Sequence, residues 1–461
     1  MTVPYWVQDA IFYQIFPDRF ANGDPANDPV NVAKWGAEPT LHNFMGGDLR
    51  GIIQKLDYLL DLGVNALYLN PIFLSPSNHR YNTSDYFKID PKLGTRKDFD
   101  ALVNALHNNG MRLILDGVFN HCSRGFFAFN DLLENNEDSP YKDWFHVNAF
   151  PLDAYTQGDA QNYAAWWNFK SLPKFNTENP AVRDYLYRVA RYWIEAGADG
   201  WRLDVPNEID SDAFWAGFRQ SVRRANPDAY ILGEIWEVDP RWVDENHCDG
   251  LMHYPLRAAL LETLNSQINA TQFGEKVESL FDIYPQENLR AMYLPLGTHD
   301  TPRLYRQLGG DLAKIKLAFL FQFAYPGAPA IYYGDEIGLD GGKDPDCRRA
   351  FPWDKKDWQG DLREWVQTLI SLRKKIPAMR RGDYIRLLAE ETAYAFARKL
   401  GKETVIVAMN FSANTEVLRI PVGDLLQNGT ELRSLLNHER FGVREGFIEI
   451  KLAAWSGVWL I

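Results

Sequence analysis

Cysteine is scarce. The 461-residue chain has three, Cys122, Cys248 and Cys347, an odd and scattered set with no C-x-x-C pair. That excludes a disulfide framework and a thiolate zinc site. Long apolar runs are missing too. The most apolar stretch, 317–333, is interrupted by Gln322, Pro326, Gly327 and Pro329 and reads as helix, turn and strand, not as a membrane span. The opening Met1-Thr2-Val3-Pro4-Tyr5-Trp6 lacks the basic segment and apolar run of a secretory leader, so a cytoplasmic location is expected. Positive charge is short as well. There are 49 basic residues against 61 acidic ones, a formal net charge of −12. Such a chain is a poor partner for nucleic acid or an anionic membrane surface. Internal repeats and low-complexity segments are absent from the sequence.

What is present is an ordinary globular composition, 46% apolar and 24% charged, with 14% aromatic residues including 15 tryptophans. Most of those rings must pack a core; a surplus in loops would suit stacking on sugar rings. The chain is organised around Asp199-Gly200-Trp201-Arg202-Leu203-Asp204, a short buried strand that ends in a charge. Trp201 and Leu203 point to one face, Arg202 and Asp204 to the other. Other apolar runs also finish in acids: Arg112 through Asp116, Tyr230 through Glu234, and Leu296 through Asp300. Carboxylates delivered at the same end of several strands describe a catalytic mouth.

The rhythm of strand and helix supports this. Strands are expected near 11–16, 65–70, 111–118, 199–204, 229–234, 249–253, 292–297 and 330–333, with helices over 49–62, 95–109, 181–196, 211–225, 311–324 and 362–374. Thr95 and Asp98 resemble a capping box, with Gly110 as the stop. Eight such units predict a (β/α)8 TIM barrel, whose reactive groups sit at the C-terminal strand ends. The rhythm breaks over 122–176, which reads as an inserted subdomain after the third strand. After 382 the pattern alternates like half-buried strands, which predicts a C-terminal antiparallel β-sandwich over 382–461. The barrel then comprises 1–121 and 177–381.

Asp204, Glu234 and Asp300 offer a nucleophile, an acid/base and a stabiliser of positive charge, the equipment for glycoside hydrolysis. His121 and His299 lie beside the same rim as hydrogen-bonding groups. On these motifs the chain resembles the α-amylase family, glycoside hydrolase family 13. Asp116-Gly117-Val118-Phe119-Asn120-His121, Gly200 through Asp204, Gly233-Glu234-Ile235-Trp236 and Gly297-Thr298-His299-Asp300-Thr301 look like the family's motifs, in order. The resemblance implies Asp204 as nucleophile, Glu234 as general acid/base and Asp300 as transition-state stabiliser. Arg202 would hold Asp204 ionised, leaving the proton on Glu234, and Asp116 would organise Arg202. His79, Tyr81, His121 and His299 would line the subsite where the sugar ring distorts.

Val205-Pro206-Asn207-Glu208 and Leu172-Pro173-Lys174-Phe175-Asn176 look like motifs of the cyclomaltodextrinase, neopullulanase and maltogenic amylase subgroup. Asp344 and Arg348, in Asp344-Pro345-Asp346-Cys347-Arg348-Arg349, are implied as substrate contacts, and Trp236 could stack on a ring on the leaving-group side. Phe126, Phe127, Trp144, Trp166 and Trp167 could grip a curved glucan. Cyclomaltodextrins and short malto-oligosaccharides are the expected substrates, with pullulan, starch and transglycosylation in reach. A general α-amylase or a glucosyl transferase or isomerase would use the same groups; a non-catalytic amylase-like partner chain need not keep the acids. The subgroup usually carries an N-terminal β domain that builds a dimer. Here the barrel begins almost at Met1, so that dimer is not expected. Asn22, Asp24, Asn27, Asp28, Gly46 and Asp48 supply hard oxygens from two neighbouring loops. Turn chemistry accounts for them as well; the resemblance favours a structural Ca²⁺.

Overall fold

The barrel grows from short strands with two different faces. They are β1 (Phe12–Ile15), β2 (Ala66–Leu69), β3 (Arg112–Gly117), β4 (Gly200–Leu203), β5 (Tyr230–Gly233), β6 (Gly250–Leu251), β7 (Tyr293–Pro295) and β8 (Ala328–Tyr332). In the computed structural model, which describes residues 3–461, these eight form one parallel sheet in the order β6-β5-β4-β3-β2-β1-β8-β7. Phe12 pairs with Ala66 on one side and Ala330 on the other, and Asp116 lies opposite Arg202. A parallel bridge between Met252 and Tyr293 joins the two ends of that order, so the sheet closes as a barrel.

Alternation sorts the side chains. Phe12, Ala66, Ile114, Tyr230 and Tyr293 fill the barrel interior, above a plug in which Trp6 packs on Phe12 and Tyr230. The residues between them, including Tyr13, Leu67, Leu113, Trp201 and Ile231, pack outward in the main core with the helices. Continuing the inward series up each strand gives Gln14, Tyr68, Asn70, Asp116, Arg202, Asp204 and Glu234, all buried. The polar floor of the cleft is thus the next layer of the apolar fill.

The helix Arg96–Asn108 has the full Thr95–Asp98 capping box. The single helix expected over 49–62 is two, Leu49–Gln54 and Leu56–Leu62, because Lys55 leaves helical geometry at φ −102°, ψ 13°. Helices Tyr254–Leu264 and Ala270–Ile283 escaped the sequence reading. The first buries residues on most sides, which erases the amphipathic stripe.

At the C-terminal end, β9 (Asp383–Glu390), β10 (Ala393–Leu400) and β11 (Glu403–Asn410) form a sheet with β16 (Ser456–Leu460). Between them in sequence come β12 (Glu416–Pro421), β13 (Glu431–Arg433), β14 (Arg440–Gly442) and β15 (Phe447–Leu452), paired as β12–β15 and β13–β14. One face of the larger sheet, with Phe396, Val407 and Trp459, joins the main core. The other face, with Ala395, Ala397 and Ile406, packs on Leu418, Ile420 and Ile448. No helix among the described residues is long and apolar enough to cross a membrane.

Candidate active site

Arg202 is the centre of the polar layer and is fully buried. Its Nη1 donates to Asp116 Oδ1 at 2.8 Å and Asp204 Oδ1 at 3.0 Å. Its Nη2 lies 2.9 Å from Glu234 Oε1, an ionic contact without hydrogen-bond alignment. One guanidinium therefore serves three carboxyl groups. Asp116 is bound further by Tyr68 Oη at 2.6 Å and Tyr81 Oη at 2.7 Å, so its role is to fix Arg202 and Tyr81. The fourth acid, Asp300, meets Arg348 Nη2 at 3.2 Å and His299 Nε2 at 3.0 Å.

Local backbone contributes too. Val205, just after Asp204, sits in the left-handed region at φ +36°, ψ 55°. For a β-branched residue that conformation costs on the order of 1–3 kcal/mol. Its N–H donates to Glu234 Oε2 at 3.1 Å, and the indole N–H of Trp236 donates to Oε1 at 3.2 Å. Trp236 is 46% exposed and lies flat on Tyr254, with ring centroids 3.8 Å apart. One face is covered; the other is free for a sugar ring.

Crowding of acids has an electrostatic consequence. Burial pushes Asp204 well above the ordinary carboxylate range; Arg202 opposes this, while Glu234, Asp116 and Asp300 add to it. Burial likewise raises Asp116. Asp300 is pushed up to about 7 by its protein surroundings and by Glu234, against Arg348 and Arg202. Its side chain is still 30% exposed to the cleft, and that hydration moderates the rise. Arg202 is thus the group that favours the ionised form of Asp204, against burial and the neighbouring acids. Burial lowers His79 and His121 to about 3 and holds His299 well below the ordinary imidazole range. All three are neutral at working pH and suit the hydroxyl groups of an uncharged ligand.

The remaining sequence candidates fall as follows. Tyr81 Oη meets His299 Nε2 at 2.6 Å, their rings are parallel, and the His79 ring also stacks near Tyr81, with centroids 6.0 Å apart. Asp344 Oδ1 pairs with Arg348 Nη1 at 3.0 Å, and Arg348 Nε also holds the His299 carbonyl at 2.9 Å. His121 leaves Nε2 without a partner and stacks on Trp166, which stacks on Trp167. Trp167 is 72% exposed. Phe126, by contrast, is fully buried against Tyr86, Phe175 and Tyr185, so it is core and grips nothing. Lys174 Nζ reaches Glu208 Oε2 at 3.1 Å, which ties the Leu172–Asn176 stretch to the Val205–Glu208 stretch.

Sequence reasoning missed Gln14, Asn70, Tyr68 and Tyr254. Gln14 Nε2 contacts His299 Nδ1 at 2.9 Å and donates to Asn70 Oδ1 at 3.1 Å. A polar residue inside the apolar run Phe12-Tyr13-Gln14-Ile15 was the available signal.

In the loops before the second barrel strand, Asp48 caps the helix Leu49–Gln54 through Gly51 N at 2.6 Å. It also accepts from Gly23 N, Asp24 N and Asn27 Nδ2 at 2.8–3.1 Å. Asp24 pairs with Arg50 Nη1 at 2.6 Å. Asn22 donates to Asp28 Oδ1 at 2.9 Å, while Oδ1 of both Asn22 and Asn27 is buried without a partner. A Cβ on Gly46 would fall 2.2 Å from Asp28 Oδ1, so only glycine fits against that carboxylate. Orphaned amide oxygens next to Asp28 are the donors a hard cation takes. Asp24 and Asp48 are largely engaged as caps and ion-pair partners.

Carboxyl groups gathered on an arginine at the C-terminal mouth of a (β/α)8 barrel define a glycoside hydrolase. The comparison with known proteins specifies which. The α-amylase catalytic domain matches residues 14–381, and the neopullulanase-like C-terminal domain matches 384–459. The chain belongs to the α-amylase family and is an α-glucan hydrolase. It is 45% identical to a cyclomaltodextrinase of Geobacillus thermopakistaniensis, over 99% of this chain and 77% of that one. Among solved structures, the cyclic α-maltosyl-(1→6)-maltose hydrolase of Arthrobacter globiformis is 38% identical with a TM-score of 0.92 and covers 100% of both chains. The debranching enzyme of Nostoc punctiforme is 40% identical, with a TM-score of 0.91, over 100% of this chain and 99% of that one.

Proposed function

We propose that the chain is a retaining hydrolase of α-1,4 bonds in cyclomaltodextrins and short malto-oligosaccharides. Asp204 is the nucleophile, Glu234 the acid/base and Asp300 the stabiliser of the oxocarbenium-like transition state. The observation that carries this reading is the sharing of Arg202. Asp204 and Glu234 each lie within 3.0 Å of one of its two terminal nitrogens. Carboxyl groups that touch one guanidinium favour the ~5–5.5 Å separation of a retaining pair over the ~6.5–9.5 Å of an inverting one.

In the first step Glu234 gives its proton to the glycosidic oxygen while an Asp204 oxygen attacks C1. The leaving sugar departs as an alcohol and an ester to Asp204 remains. Glu234 then takes a proton from water, and that water displaces Asp204 with the original α configuration. A sugar hydroxyl in place of water gives transglycosylation, and the free face of Trp236 suits an acceptor ring. Tyr81, His79, His121 and His299 bind the ring at the cleaved bond, and Asp344 with Arg348 binds the next one.

Cyclic substrates are favoured by the Lys174–Glu208 tie and by the cyclic substrate in the name of the Arthrobacter relative. The test is twofold. NMR of the first product from β-cyclodextrin is expected to show the α anomer, and a β anomer refutes the assignment of Asp204. The specificity constant is expected to be higher for β-cyclodextrin than for soluble starch or pullulan, and the reverse order refutes the substrate assignment.

We also assign a structural Ca²⁺ to the loops of Asn22, Asp24, Asn27, Asp28, Gly46 and Asp48, supported by the orphaned Asn22 and Asn27 oxygens. It would tie the two loops together and take no part in the reaction. Chelation is expected to lower Tm, since the ion binds the folded state. Asp28→Ala should abolish that sensitivity, and an unchanged melting curve in excess chelator with no metal by elemental analysis refutes the site. Three buried unpaired thiols, Cys122, Cys248 and Cys347, fit a cytoplasmic location.

A further inference from the structure

A cavity of about 650 Å³ lies apart from the catalytic carboxylates, between the loop after β1 and the loop after β8. None of the acids bound to Arg202 or Arg348 lines it. Trp35 forms one wall and Trp353 another. Both indoles are locked by backbone acceptors: Trp35 Nε1 donates to the Phe351 carbonyl at 3.0 Å, and Trp353 Nε1 to the Phe20 carbonyl at 2.8 Å. Trp353 is used further by the fold, with Lys55 Nζ 4.2 Å above its ring. Trp35 has no aromatic or cationic partner on its ring among the described contacts and is half-buried. It is a fixed platform with ring surface to spare.

The polar groups around it are equally telling. Glu38 and Asp357 line the cavity, and neither side chain has a hydrogen-bond or ion-pair partner among the described residues. Arg349 also lines the cavity, and its charge is already paired with Asp346 at 2.7 Å. Free carboxylates beside an indole repel anions and accept hydrogen bonds from hydroxyl groups. The volume is in the ~300–1,000 Å³ range of small-ligand sites. The wall 349–353 continues directly from Asp344–Arg348, whose arginine holds Asp300.

We propose that this cavity is a second glucan-binding site. A neutral α-glucan segment stacks on Trp35 and donates hydroxyl hydrogen bonds to Glu38 and Asp357, and so retains long substrates near the catalytic cleft. The proposal rests on the chain acting on α-glucans. The experiment uses the full chain and two readouts. Gel retention by soluble starch is measured in the Glu234→Gln background, with and without Trp35→Ala. Specificity constants for starch and for a short chromogenic maltoside are compared with Glu234 intact.

Trp35→Ala is expected to weaken starch retention and the starch specificity constant about tenfold, the scale of one stacked ring. The short maltoside should be hydrolysed within about twofold of wild type. Trp35→Phe should recover most of the loss. Glu38→Gln with Asp357→Asn, both on exposed positions, should give a smaller loss of the same kind even if the Trp35 variant folds poorly. Unchanged starch retention in both sets overturns the proposal, as does an equal loss on the short maltoside. Wild-type protein inactive on every α-glucan would instead refute the function itself.

Discussion

Strand β4 is flanked by Asp199 before it and Asp204 after it, and the two acids live in opposite conditions. Asp199 has Arg112 Nη1 at 2.7 Å, His107 Nε2 at 2.8 Å and the Leu113 N–H at 2.9 Å. Asp249, before β6, has Arg219 and Arg223 on one oxygen at 2.8 and 2.7 Å and the Ile231 N–H on the other. At this lower rim each acid has two basic partners. At the upper rim three acids share Arg202, and a strained Val205 helps to supply donors. The lower rim is matched for stability. The upper rim leaves charge uncompensated, and a positively charged transition state supplies the missing partner.

The largest effect that separates the two rims is in activity. Asp204→Asn and Glu234→Gln should each lose at least about 10³-fold in kcat, the scale of a lost acid/base or nucleophile. Neither should lower Tm, because each removes a carboxyl from a crowded site. Asp249→Asn should do the reverse. It should lose about 3 kcal/mol of stability, since it leaves the buried Arg219 and the partly buried Arg223 without their anion. Its kcat per folded molecule should be unchanged. Denaturant melts beside active-site titration check both, and an Asp249→Asn enzyme with wild-type stability would erase the contrast.

A smaller effect is expected in the pH dependence of stability. A carboxyl raised in the folded state holds its proton there longer than in the unfolded chain. Stability is therefore full below the ordinary carboxylate range and falls as pH rises through the folded value. For Asp300 that window runs from about 4 to about 7. Asp300→Asn should flatten the decline of Tm between pH 5 and 8. An identical slope in Asp300→Asn and wild type would contradict the crowding.

The smallest effect divides the two jobs of Trp236. Trp236→Phe keeps a ring on Tyr254 and removes the N–H donated to Glu234 Oε1. Its kcat should fall by about fivefold, the scale of one hydrogen bond, with KM nearly unchanged. Trp236→Ala should also raise KM for β-cyclodextrin, by about tenfold at most. A kcat identical in wild type and Trp236→Phe would remove the hydrogen-bonding role.

The reactive acids were legible because a carboxylate at the end of an apolar strand is conspicuous and because β-strand alternation fixes which face it occupies. The same rule reached Arg202 and Asp116. It did not reach Tyr68 or Asn70, although they continue the inward face of β2, because tyrosine reads as core and Asn70 as a strand stop. Tyr254 was hidden for another reason. It belongs to a helix buried on most sides, and its place under Trp236 is set by tertiary packing alone. Lys174 and Glu208 were both noted, but their contact spans thirty-four residues and no local pattern announces it. Pairing of Asp204 with Arg202 was visible in sequence, whereas the competition of three carboxyl groups for that arginine is a property of the closed barrel.

The most direct measurement is the site of covalent attachment. α-Maltosyl fluoride needs no acid to expel fluoride, so Glu234→Gln can form the glycosyl ester and lacks the base to release it. Intact-protein mass spectrometry of that variant is expected to show one added maltosyl unit, and peptide mapping is expected to place it on Asp204. An adduct on Asp300 or Asp116, or turnover of the fluoride with the β anomer released first and no adduct formed, would contradict the assignment.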